Sequence, residues 1–306
     1  MKTTFKLFLS CLVCFALPLA SGFGNENDVF ALLNPVEQEQ PAEQEQPAEQ
    51  EEPAEQEQPV VVEPERKEGE AGYRIILDIN DVEYPFRWCP PGTFTMGSPI
   101  SEEGRKSDET QHQVTLAHGF WMLETAVTQE MWQSTMGGNP SARKSVKLPV
   151  ETVSWNDCQE YIQRLHASGT APVGYRFSLP TEAQWEYACR AGTTTPYHFG
   201  DTIDREKGNF GRNWARTTEV DWYPANTWGL YDMHGNVWEW CLDWYGTYPG
   251  GAVTDPTGAS EGTNRVLRGG GWFHLAGDCR SATRRDRESS VRNNAIGLRL
   301  ALVRVE

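Results

Sequence analysis

The sequence is poor in positive charge. It has 27 Lys and Arg against 43 Asp and Glu in 306 residues, a formal net charge of -16. A nucleic-acid binder needs a basic face to meet phosphates, so that class is excluded. Long apolar runs are also missing. Beyond the N-terminus nothing approaches the roughly 20 residues that cross a bilayer, so no membrane span is expected in the mature chain. The common catalytic templates are absent too: there is no His-Glu-x-x-His, no Gly-x-Ser-x-Gly and no phosphate loop ending in Lys-Ser/Thr. Cysteine is sparse. Of seven, Cys11 and Cys14 fall in the N-terminal segment, and Cys89, Cys158, Cys189, Cys241 and Cys279 remain. Five is odd, so complete pairing within one chain is excluded, and the connectivity of any disulfides is not readable.

What is present is unevenly placed. Residues 1–70 hold 15 acidic and 4 basic residues, a charge of -11, whereas residues 71–306 hold 28 and 23, a charge of -5. All 12 Trp lie between Trp88 and Trp272. Lys2 and Lys6, the apolar stretch Leu7 to Leu19 and the small residues Ala20, Ser21 and Gly22 read as a signal peptide over 1–21, which implies a secreted or periplasmic protein. Residues 22–70 read as a disordered acidic linker. A six-residue Pro-Val/Ala-Glu-Gln-Glu-Gln/Glu unit starts at Pro35, Pro41, Pro47 and Pro53. It lacks the large apolar side chains needed to offset the entropy of folding. An acidic tail that binds cations or a basic partner is the other reading of the same composition.

From Ala71 to Glu306 the texture is that of one domain, long enough to bury a core. Tyr73–Ile79 and Gln113–Leu116 read as strands. Helices are expected after Thr128, after Ser154 and after Thr181. Gln184 can complete a capping box in the last, and Gly192 can end that helix after Ala191. The alternation Ile296, Leu298, Leu300, Leu302 predicts one half-buried C-terminal strand. Residues 193–295 show neither period, so the fold class is α+β and loop-rich, with wide aromatics supplying core area.

Five ordered blocks carry a resemblance: Pro90–Ser98, Leu148–Asp157, Leu179–Ala188, Gly229–Cys241, and Val266–Trp272 together with Ile296–Leu300. They resemble the formylglycine-generating enzyme, or sulfatase-modifying factor, family over about residues 86–304. The resemblance implies a C-type-lectin-related fold with little regular secondary structure. Asp232 and Glu239 offer carboxylates and Gly235 and Val237 backbone carbonyls, a hard-oxygen set that suits calcium. Those positions match the family's calcium ligands, which implies a structural calcium site. A second family calcium site would begin at Asn209 and Phe210, but the segment up to Tyr231 lacks the family's Asp-Gly-Phe.

Oxidase members of that family hold Cu(I) on two cysteines, five residues apart, after a Gly-Gly-Ser-aromatic turn. Here the turn is Gly269-Gly270-Gly271-Trp272, the first cysteine position is His274 and the second is Cys279. An imidazole in place of a thiolate weakens the preference for Cu(I), and copper or iron would have an incomplete ligand set. His274 and Cys279 are therefore the candidate catalytic pair only if the fold carries an enzyme. The expected function is an exported binding or accessory module with a protein, peptide or small ligand. The alternative is a metal-dependent oxidase of the same family, with formylglycine formation on a sulfatase cysteine the less expected form. Arg280, Arg284, Arg285 and Arg287 could meet a carboxylated ligand or pair internally with Asp278, Asp286 and Glu288.

Overall fold

Local capping fixes the helices. Ser154 is extended (φ -85°, ψ 165°), its hydroxyl accepts from Asp157 N, and Asp157 bonds back to Ser154 N at 2.8 Å. This closed box starts α2, Trp155–Ala167, and Cys158, Tyr161, Ile162 and Leu165 make its buried face. Thr181 and Gln184 form the same reciprocal box at the start of α3, Glu182–Arg190. Thr128 caps α1, Gln129–Met136, through Met131 N. Such caps satisfy amides that the first turn leaves unpaired. At the end of α3 the residue that turns left-handed is Ala191 itself (φ 45°), one position before the expected Gly192, which is also left-handed (φ 92°).

The computed structural model describes residues 66–305. The proposed signal peptide, and the linker as far as residue 65, lie outside that range. Residues 66–70, placed in the linker by composition, are tied to the body. Arg66 donates to Ala71 O and, at 2.6 Å, to Thr227 O.

Three sheets organise the described residues. The first runs in the order β1 (Arg74–Ile79), β2 (Val82–Cys89), β5 (Phe120–Leu123), β12 (Ala301–Arg304), β6 (Tyr175–Ser178), all antiparallel. The second has β10 (Arg285–Glu288), β9 (Asn264–Arg268), β7 (Trp238–Trp244) and β11 (Ile296–Leu298), with β11 parallel to β7. The third joins β3 (Gly92–Met96), β4 (His112–Leu116) and the two-residue β8 (Val253–Thr254). No described helix is long and apolar enough to cross a membrane.

The C-terminal run differs from its expected form. It is two strands in two sheets, β11 and β12, and every residue from Ile296 to Leu302 is buried. The break between the strands includes Arg299, which is 0 % exposed although the alternation puts it on the solvent side. The long stretch 193–295 also holds β7 to β10. Strand β7 shows no period because Trp238 to Cys241 are buried on both faces, so no polar alternation exists. The fold is otherwise loop-rich: among the described residues, no helix or strand lies between Arg190 and Trp238.

Two apolar clusters fill the interior. One packs Trp238, Trp240, Leu267 and Leu298 against α1 and α2, where Trp132 stacks on Tyr161 at 4.8 Å. The other groups Met96, Phe120, Met122, Trp185 and Cys241. Wide aromatic side chains each bury large apolar area, which replaces the area missing from short elements.

Candidate functional site

The turn Gly269–Trp272 follows β9 directly. Gly269 (φ 97°) and Gly270 (φ 83°) are left-handed, and a Cβ on Gly270 would meet Cys279 Sγ, so the chain crosses directly over that thiol. A short 3-10 turn, Ala276–Cys279, brings Cys279 under it. Cys279 is 0 % exposed and its Sγ faces Leu275 O at 3.6 Å. Burial, then Asp278, pushes its thiol well above the usual range, so it stays protonated at neutral pH.

His274 sits beside the turn rather than in solvent. Trp238 Nε1 donates to its Nδ1 at 3.2 Å, and Phe273 stacks on its ring at 4.2 Å. Burial and then Arg285 push its pKa down to about 4, so the ring is neutral. The space explains the third glycine. A Cβ on Gly271 would lie 3.2 Å from His274 Nδ1, 3.2 Å from Trp238 Cδ1 and 3.2 Å from Ala295 Cβ. The imidazole, the Trp238 ring and Ala295 together crowd the room that a serine at 271 would need.

Other histidines converge here that sequence spacing could not reveal. His234 bonds Cys279 O through Nδ1 at 2.7 Å, and its Nε2 accepts from His198 N at 3.1 Å. His198 stacks on it at 4.8 Å, and both His198 ring nitrogens are buried without a partner. Tyr197 closes the group by donating to Ala276 O at 2.8 Å. These contacts bring together residues 197–198, 234 and 279. Among the described residues, no group of three or more His, Cys, Asp or Glu is placed to hold a metal ion. A redox metal on His274 and Cys279 would therefore find no third side-chain donor among the described residues.

The calcium candidates divide. Asp232 (φ 55°), Gly235 (φ 112°) and Asn236 (φ 63°) make a left-handed turn. Asp232 Oδ2 accepts from Asp221 N at 2.9 Å, while Oδ1 is buried without a partner. Burial is the main cause that raises its pKa to about 7. Asn209, packed against Gly235, also has an unpartnered buried Oδ1. Such orphan oxygens fit a hard cation. Glu239 does not. Arg299 Nε lies 3.2 and 3.0 Å from its two oxygens, Arg299 Nη2 lies 2.8 Å from Oε1, and Trp185 Nε1 lies 2.6 Å from Oε2. Each carboxylate oxygen already accepts two bonds, which uses its lone pairs. Phe210 is partly buried, and its backbone carbonyl accepts from Asn213 N at 3.0 Å.

Two of the four arginines, Arg280 and Arg284, pair internally, with partners other than the neighbours in sequence. Arg280 meets Glu109 at 2.7 Å and Glu102 at 2.5 Å, and Arg284 meets Glu182 at 2.6 Å. Arg285 and Arg287 meet no carboxylate among the described residues; Arg285 instead lies over the Trp238 ring at 5.6 Å. All five described cysteines are free and buried.

Residues 86–304 match the sulfatase-modifying factor enzyme 1-like domain. The chain belongs to that family. Mouse formylglycine-generating enzyme is 30 % identical over 196 residues, covering 58 % of this chain and 49 % of the enzyme. The serine/threonine-protein kinase pkn1 of Chlamydia caviae is 36 % identical over 233 residues, 69 % of this chain but 36 % of the kinase. The chain thus spans half or less of these two relatives. Among solved structures, Treponema denticola variable protein 1 superposes with a TM-score of 0.67 at 28 % identity, covering 74 % of this chain and 98 % of that one. PvdO from Pseudomonas aeruginosa gives 0.66 at 26 %, covering 76 % and 98 %. The expected α+β, loop-rich architecture is thereby established.

Proposed function

We propose that this member of the sulfatase-modifying factor family is an exported binding or accessory module. Its ligand, a peptide, protein segment or small molecule, sits on the half-buried Trp272–Phe273–His274 face. One observation carries this reading: Cys279 is a buried, protonated thiol beneath Gly270, with a neutral imidazole at the other cysteine position. A thiol in that state is a poor nucleophile, and its burial under Gly270 keeps a substrate from reaching it. No phosphotransfer is assigned, because the glycine turn leads into a four-residue 3-10 turn and not into a helix that could cradle phosphate.

The test is direct. The purified chain, given copper or iron and a peptide with a sulfatase-type cysteine motif, is expected to form no aldehyde by mass spectrometry. Aldehyde formed by the native chain and lost in Cys279→Ala would establish the oxidase reading instead. That second reading draws on the likeness to formylglycine-generating enzymes and on the histidines around Cys279. A calcium ion belongs to the proposal at the Asp232 turn, with the Gly235 and Val237 carbonyls and with Glu239 supporting the loop through Arg299. Chelation is expected to lower the melting temperature; an unchanged value would remove calcium from the reading. Export rests on the signal-like residues 1–21, and cell fractionation checks it.

A further inference from the structure

A separate cavity of about 220 Å³ opens between the start of α3, the end of β7 and the loop 244–259. None of Gly269–Cys279 lines it. Its volume is below the roughly 300–1,000 Å³ of sites for drug-sized ligands, so it suits a chain end. Asp243 reaches it from the end of β7 and is 3 % exposed. Its Oδ2 accepts from Glu182 N at 2.8 Å, and the carboxyl's other donor among the described residues is Asp243's own backbone N–H. His112 also lines the cavity. Its Nδ1 lies 3.0 Å from Thr110 O, a group that only accepts, so Nδ1 carries the proton and Nε2 is left as an acceptor in the neutral ring. Once Asp243 is ionised and His112 is neutral, the unengaged side-chain atoms of both residues accept hydrogen bonds, and a ligand that binds this state must bring donors.

Charge points the same way. Glu182 is held by Arg284 at 2.6 and 2.8 Å and by Tyr248 Oη at 3.0 Å. Glu186 is held by Arg268 and Arg190. An ionised Asp243 would be the carboxylate of this group with no ion pair of its own among the described residues, since Arg284 and Arg265 act on it only from farther away. We propose that the cavity binds a primary ammonium group, from a lysine side chain or a free small amine, with Asp243 as its counter-ion. Ammonium N–H groups supply donors to the ionised Asp243 carboxylate and to His112 Nε2, and the stem fills the cavity.

Binding is coupled to a proton. Burial, then Glu182, raises Asp243 to about 8, so it is protonated at neutral pH. The other titratable and charged groups around it are Glu182, Arg284, Arg265, Arg268, Cys241, Tyr248 and His112. When the ammonium enters, Asp243 ionises and its proton leaves to solvent. A primary amine stays charged up to about pH 10. Apparent affinity therefore rises with pH until Asp243 is ionised, by about a hundredfold between pH 6 and pH 9.

Calorimetry on the full chain tests this with n-butylamine, Nα-acetyl-lysine amide and, as the uncharged control, Nα-acetyl-norleucine amide. Binding of either amine at pH 9, about a hundredfold weaker at pH 6 and absent for the norleucine compound, is the expected result. Binding of the lysine amide points to a protein or peptide source, and binding of n-butylamine alone to a free amine. Asp243→Asn is expected to abolish binding. Thr257→Trp at the exposed mouth does the same with Asp243 in place, and decides if the first variant fails to fold. No binding of either amine at pH 9, equal binding of the norleucine compound, or a pH-independent affinity would overturn the proposal, and none of these outcomes bears on the Trp272–His274 face.

Discussion

Two neighbouring parts of this protein use the same polar residues to opposite ends. Around Glu239 the groups satisfy one another. Arg299 spends its guanidinium on Glu239 and on the carbonyls of Leu123, Glu124 and Tyr231. Around the Gly269–Cys279 turn they do not: His198 keeps two buried ring nitrogens without partners, and Arg285 meets no carboxylate among the described residues. The contrast separates charge that holds the fold from groups left for a ligand. A buried ion is tolerable only when paired and hydrogen-bonded, so unspent polar atoms inside a fold mark where something else is accommodated.

The largest effect expected of this contrast is at Arg299. Arg299→Met strands Glu239 in the core, and breaking such a pair from one side costs about 3–5 kcal/mol. Chemical denaturation should register that loss or no folding at all. A cost below about 1 kcal/mol would show that this ionic network is not what fixes the loops.

Next comes pH. Asp232 has a folded pKa of about 7 against about 3.9 unfolded. Between those values the folded state keeps a proton that the unfolded state has lost. The stability contributed by this group is therefore complete at low pH and lost as pH rises through about 4 to 7. Calcium should reverse the sign, because an ion on Oδ1 favours the ionised carboxylate. Melting temperatures measured from pH 4.5 to 7.5 with calcium and with chelator should diverge as pH rises. Asp232→Asn should bring the two curves together.

Smaller effects belong to the turn. Cys279→Ala removes one buried sulfur from a tight site and is expected to cost about 1 kcal/mol, with the fold intact. Trp272→Ala, at a half-buried position, should change stability by less than about 1 kcal/mol while removing ligand capture. If Trp272→Ala instead unfolds the chain, this turn belongs with the structural network and the contrast fails.

How far the sequence speaks follows from the range of each interaction. The caps of α2 and α3 are readable because Ser154 and Asp157, or Thr181 and Gln184, lie three residues apart. The partners of Arg280 are not, since Glu109 is 171 residues away. Strand β7 is hidden because both its faces are buried. The C-terminal run reads as one strand because Arg299, a charge at 0 % exposure, marks a sheet change and not a solvent face. Family motifs point to the His274–Cys279 turn. They cannot tell that the thiol is sealed, that His198 and His234 converge on it, or that Glu239 is taken by Arg299.

The contact between Gly271 and His274 has a further consequence. A hydroxymethyl group at 271 would press on the imidazole at 274 as well as on Trp238 and Ala295, so the two positions are coupled. Gly271→Ser alone should clash with the ring, and His274→Cys alone should leave a void beside Trp238. The double substitution should be better tolerated than the sum of the two. Any attempt to install a thiol pair on this scaffold would then have to travel through both positions at once, a barrier that single-residue drift crosses poorly.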